Sequence, residues 1–201
     1  NQVVMSPEFW GAEPVHITEG ERAGLSVLQD EQDSGLAFMQ SLRTDQRRRA
    51  LISQDKMRDN VLAAAFSDNV RVPYEGIRAD QLDAAQMEGL MNVIAVYVGH
   101  MPEGHAQVRL DEVEVHLNET YFAWIGEVGP EEIYYYRIQS PVIFIEFDHT
   151  TPVSLRNVSP PGPSRNHFHI TVRTPNGNDY GKDLLRQHYE MTAGDPNHRH
   201  Q

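Results

Sequence analysis

The chain has 201 residues, 39% of them hydrophobic and 23% charged, enough apolar content for a single folded domain with a core of its own. Its formal net charge is −12, from 29 acidic against 17 basic residues, and such a surface repels a phosphate backbone, so no nucleic-acid partner is expected. No stretch approaches the ~20 apolar residues of a membrane span, and the absence of cysteine excludes disulfides, thiolate ligands and thiol nucleophiles without naming a compartment.

Residues 3–5 read as a short strand ended by Pro7. The chain opens on Asn1 inside that strand-like piece, with no initiator methionine and no signal-peptide pattern. The expectation is a C-terminal fragment of a longer protein, lacking an N-terminal segment. Residues 9–15, with Trp10, Gly11 and Pro14, read as a loop, and 25–28 as a short extended piece. A helix is expected over 30–42 with Leu36, Met39 and Leu42 inward, although Gly35 weakens it. Thr44 is the expected N-cap of a second helix over 45–52, whose Arg47-Arg48-Arg49 run reads as a solvated face. Residues 61–66 are apolar and short, either a helical turn or a strand, and 67–79 read as loop.

The strongest helical pattern covers 80–98, capped by Asp80, with Met87, Leu90, Met91, Ile94, Tyr97 and Val98 on one stripe and Gly99 at its end. Ala106, Leu110, Val113 and Leu117 predict another helix over 103–117. The pattern then changes to period two. Strands are expected over 121–127, 133–139, 142–148 and 167–173, separated by proline- and glycine-rich turns. A last helix over 182–191 and a flexible tail over 192–201 complete the chain. Helices followed by strands predict an α+β fold, with a helical layer from the N-terminal two-thirds packed on a mainly antiparallel C-terminal sheet.

Two of these strands carry the chemistry. Residues two apart in a strand share a face. Glu146 and Asp148 therefore point one way, and His167, His169, Thr171 and Arg173 share a face of theirs. If the strands are neighbours, two imidazoles and two carboxylates converge. A carboxylate within an apolar strand is costly unless it is paired or bound to a cation. His167, His169 and Glu146 are the expected ligands of a divalent metal, and Asp148 is a second carboxylate or general base. Two histidines and a carboxylate suit iron(II) or a catalytic zinc, and histidine-bound copper stays open. Arg173 or Arg137 would clamp an anionic or polar small molecule. The plainer alternative is a closed carboxylate–histidine–arginine network that holds the sheet together.

Other candidates read as structural. Tyr134-Tyr135-Tyr136 and Trp124 are expected in sheet packing, and His100, His105, His116 and His188 lack a spaced partner set. The turn over 174–181 supplies Asp179 as a cap for the last helix. No glycine-rich phosphate loop is present, so no nucleotide cofactor is expected.

Tyr135-Tyr136-Arg137-Ile138, Ser140-Pro141-Val142, Ile145 to His149, and His169 through Arg173 to Gly181 resemble the family called domain of unknown function 3500. Gly24 to Leu28 and the helix after it resemble it too. The resemblance covers nearly the whole chain and is most specific over 173–181. It implies a Gly-His-His segment upstream of the piece matching 2–7, and an His-x-His strand, whose spacing His167-Phe168-His169 keeps. It implies no activity. The expectation is a metal-dependent enzyme that oxidises or hydrolyses a small polar substrate, or else a non-catalytic binding or scaffold domain.

Overall fold

A computed structural model describes residues 6–65, 67, 70–155, 157, 159, 161–175 and 179. Among them the chain is a mixed α/β structure with four α-helices and a seven-stranded sheet. The elements run β1 (Glu8–Ala12), α1 (Gln29–Ser41), α2 (Thr44–Ala50), β2 (Leu51–Ser53), β3 (Ile77–Arg78), α3 (Ala84–Val98), α4 (Glu103–Val115), β4 (Tyr121–Gly126), β5 (Tyr134–Gln139), β6 (Phe144–His149) and β7 (Phe168–Arg173). The strand order is β1-β7-β6-β5-β4-β2, with β3 also on β4. Every pairing is antiparallel except that of β2 with β4.

The four C-terminal strands lie where period two placed them. The sheet is wider than that run, because β1, β2 and β3 come from the N-terminal part. β1 occupies residues read as loop. Its pattern is Trp10 turned toward the core and Phe9 and Gly11 outward, a signal too short to outweigh the glycine and prolines around it. The strand expected over 3–5 and the last helix lie outside the described residues.

The best helix starts later than its pattern. Asp80 sits in a short 3-10 turn, and Asp83 is the true N-cap, accepting from the Gln86 amide at 2.9 Å while Gln86 Oε1 accepts from the Asp83 amide at 3.1 Å. Arg43, not Thr44, precedes α2 as its cap residue. Gln46 and Gln86, both buried, exchange two side-chain hydrogen bonds of 2.8 Å and tie α2 to α3.

Alternation gives the sheet two unlike faces. Phe122, Trp124, Tyr134, Tyr136, Phe147 and Phe168 line one of them, all buried in the main core. Phe38 of α1 meets Phe122 edge-on at 4.7 Å, and Tyr97 of α3 hydrogen-bonds Tyr136 through the two hydroxyls. At Gly35 an added Cβ would lie 2.1 Å from the Tyr136 ring, so the glycine that weakens α1 as a helix is what lets the ring approach. The other face carries the ionisable groups. It is crossed by the chain between β2 and β3, which includes Lys56, Asn60 to Ala63, Pro73 and Glu75.

Candidate functional site

Register decides which side chains meet. Arg137, Glu146 and Thr171 are cross-strand partners in a row, and Tyr135, Asp148 and His169 form the next row. The carboxylates and His169 therefore share one face on adjoining strands. His167 stands just before β7, and Arg173 lies at its far end, opposite Phe144.

The carboxylates are engaged from above by the crossing chain. Glu146 accepts from the backbone amides of Leu62 and Ala63, both at 2.9 Å, and from the Tyr135 hydroxyl at 2.7 Å. Asp148 Oδ2 accepts from the amides of Asn60 and Val61. Its Oδ1 lies 3.1 Å from Lys56 Nζ, an ion-pair distance without hydrogen-bond alignment. Lys56 also donates to the carbonyls of Arg58 and His149, both at 2.7 Å. Arg173 grips the same segment by its carbonyls, donating to Ala63 at 2.7 Å and Ala64 at 2.9 Å, and pairs with Asp179. Asp179 in turn accepts from the Thr174 amide at 3.1 Å and from the Ser6 hydroxyl at 2.9 Å.

Burial sets the protonation of this face. It raises the Glu146 carboxyl, against the hydrogen bonds from Tyr135, Leu62 and Ala63. It raises Asp148 to about 7, against the charge of Lys56, and it lowers Lys56. Arg137 donates to Glu75 at 2.9 Å and to the Pro73 carbonyl at 3.3 Å. Asn60 Oδ1, Arg137 Nε and Gln139 Oε1 are buried without a hydrogen-bond partner among the described residues. With Asp148 Oδ1 they all belong to this face or to the chain over it.

His149 points to the aromatic face. Its Nε2 donates to Gln32 Oε1 at 3.0 Å, so in the neutral ring Nδ1 accepts from the Tyr134 amide at 3.0 Å, with the Tyr134 carbonyl 3.1 Å away. Burial holds its pKa down to about 3.

The two remaining histidines form a corner of their own. Their rings meet edge to face at 4.7 Å. His167 is buried and His169 exposed. His167 Nδ1 lies 2.8 Å from the Thr151 carbonyl, which only accepts, so in the neutral ring Nδ1 carries the proton and Nε2 the lone pair. That Nε2 is 3.7 Å from Glu13 Oε2. Glu13 is itself aimed by the amides of Val153 at 2.9 Å and Leu155 at 2.6 Å. Burial opposes ionisation of Glu13, but the amides of Leu155, Val153 and Ser154 outweigh it and hold the pKa below the ordinary carboxylate value. Although His169 is exposed at its surface, partial desolvation against the sheet and then the neighbouring His167 lower its pKa.

Of the residues expected at one metal centre, Glu146 and Asp148 thus lie hydrogen-bonded under the crossing chain in neighbouring rows, His169 stands beside Asp148 as its cross-strand partner, and His167 lies beyond it, next to Glu13. Among the described residues no three histidine, aspartate or glutamate side chains already stand as a ligand set for one ion. Sequence reasoning missed Lys56, Glu13 and the amides of Asn60 to Ala63. No spacing rule finds backbone donors, and Glu13 lies among residues read as loop.

Comparison with known proteins gives one match. The family model described as protein of unknown function (DUF3500) covers residues 1–182. No curated protein matches the chain. No solved structure matches it.

Proposed function

The chain belongs to the DUF3500 family, and from that premise we propose that it is a binding or scaffold domain whose polar sheet face is a closed structural clasp. In this reading the helices make one layer over the aromatic face, and the chain between β2 and β3 covers the other. The observation that carries it is that four successive backbone amides, Asn60 to Ala63, donate to Asp148 and Glu146. A buried carboxylate with amide donors is stabilised in place, and loss of the acceptor costs ~1–3 kcal/mol where the N–H is itself buried, as at Ala63. Arg173 and Lys56 close the clasp from its two ends.

The test is Glu146→Gln, which keeps the shape and turns an NH2 group toward an amide. Hydrogen exchange at Leu62 and Ala63 is expected to speed up at least tenfold, with the circular dichroism spectrum unchanged. Unaltered exchange at both amides would sink the clasp.

The second reading is a metal-dependent enzyme acting by oxidation or hydrolysis on a small polar substrate. It takes His167, His169 and Glu146 as ligands, Asp148 as base and Arg173 as the substrate-orienting cation. The contact between the two imidazole rings favours it. Its chemistry requires Glu146 to leave the amides of Leu62 and Ala63.

A further inference from the structure

We propose that His167, His169 and Glu13 form a binding site for a divalent transition ion of the zinc class at the β1–β7 corner of the sheet, next to Asp148, the cross-strand partner of His169, but with neither buried carboxylate as a ligand. The site does not rest on the clasp, and it replaces Glu146 with a carboxylate from the other end of the chain.

Four observations build it. The first is register. Gly11 pairs with His169 and Ala12 with Phe168, so the next step of the ladder sets Glu13 beside His167. By alternation Gly11, Glu13, His167 and His169 then lie on a common side. The second is space. A Cβ on Gly11 would lie 2.9 Å from His169 Cδ2 and 2.8 Å from the Phe168 carbonyl oxygen, so glycine there gives the imidazole its place against β1. The third is orientation. The Thr151 carbonyl fixes the proton of His167 on Nδ1 and leaves Nε2 as the donor atom, as an outer hydrogen bond does for a metal-bound histidine. The amides of Val153 and Leu155 likewise fix the Glu13 carboxylate.

The fourth is distance. Two ligands each ~2.0–2.1 Å from a tetrahedral zinc are ~3.3 Å apart. His167 Nε2 and Glu13 Oε2 are 3.7 Å apart, so a closure of a few tenths of an ångström brings both onto one ion. The exposed His169 ring lies 4.7 Å from that of His167, centroid to centroid, and its rotation would bring in the third donor. Two imidazoles and a carboxylate leave a fourth position open for water or a ligand atom, the donor set that zinc accepts at open sites. Asp59 is held nearby, accepting from the Thr151 amide at 2.8 Å and its hydroxyl at 3.0 Å, and adds negative charge beside His169.

The test is calorimetric titration of the chelator-treated protein with zinc, repeated on His169→Ala, Glu13→Gln and Glu146→Gln, with copper(II) electron paramagnetic resonance as a second readout. One zinc per chain is expected. His169→Ala and Glu13→Gln should each weaken it ten- to a hundredfold, and Glu146→Gln should leave it within threefold. The copper spectrum should show coupling to two nitrogens in the native chain and to one in His169→Ala. Because His169 is exposed, its variant keeps the fold. Unchanged zinc affinity in His169→Ala or Glu13→Gln overturns the site. So does a loss confined to Glu146→Gln, which would return the ion to the buried carboxylates. The clasp is read separately, from amide exchange, so failure of one leaves the other standing.

Discussion

Asp148 and His149 are adjacent in sequence, on opposite faces of β6, and burial shifts them in opposite directions. Asp148 is raised from 3.8 to about 7, so between those values the folded chain holds a proton the unfolded chain has lost. Stability from this group falls as pH rises across that window. His149 is lowered from 6.5 to about 3, so there the unfolded chain holds a proton that the folded chain lacks. Stability from it rises with pH. Across the overlap, from 3.8 to 6.5, the two slopes oppose each other. Each variant should unmask one. Relative to the native chain, His149→Gln should gain stability on acidification through that range, and Asp148→Asn should lose it. The slope of each difference should be up to about 1.4 kcal/mol per pH unit. Denaturant titrations at half-unit pH steps measure both. Parallel pH profiles for the native chain and either variant would contradict the assignment for that residue.

At the scale of elements, α1 shows a conflict between local preference and packing. Glycine in a helix costs ~1 kcal/mol relative to alanine. At Gly35, however, a methyl group would lie inside the Tyr136 ring contact, at 2.1 Å. That ring has little freedom, since its hydroxyl donates to the Glu31 carbonyl and it stacks on Trp124 and Phe147. Overpacking costs ~1–3 kcal/mol, so Gly35→Ala should destabilise the protein despite its better helix propensity. Equilibrium urea unfolding measures it, and a variant more stable than the native chain would show that the ring moves freely. The same balance explains α2 and α3. Their periodicity is visible, but the Gln46–Gln86 amide pair that joins them is a polar contact between distant residues.

The whole molecule depends on pairings across its length. β1 joins β7 from opposite ends of the chain, and β2 runs parallel beside β4 across two intervening helices. Such contacts require large loops to close before they stabilise anything, which slows folding. The chain has two tryptophans, Trp10 in β1 and Trp124 in β4. Refolding followed by their fluorescence should therefore show its main phase in milliseconds to seconds. Full amplitude recovered within ~100 µs would be incompatible with a sheet closed by its two ends.

The four long strands, the four described helices and, strand by strand, the shared faces of Glu146 with Asp148 and of His167 with His169 were legible in the sequence. Alternation and helical periodicity are properties of neighbouring residues, so they need no knowledge of the fold. It also carried the family, through the residues over 135–149 and 169–181. That β6 and β7 adjoin, and what stands over their polar face, follow from the fold. Glu146 and Asp148 are held by amides of Asn60 to Ala63, groups that any sequence supplies and no pattern marks. Lys56, Glu13 and Gly11 gain their roles from register and chain crossing. Those depend on which distant segments meet, and one residue's slip would turn every side chain to the other side.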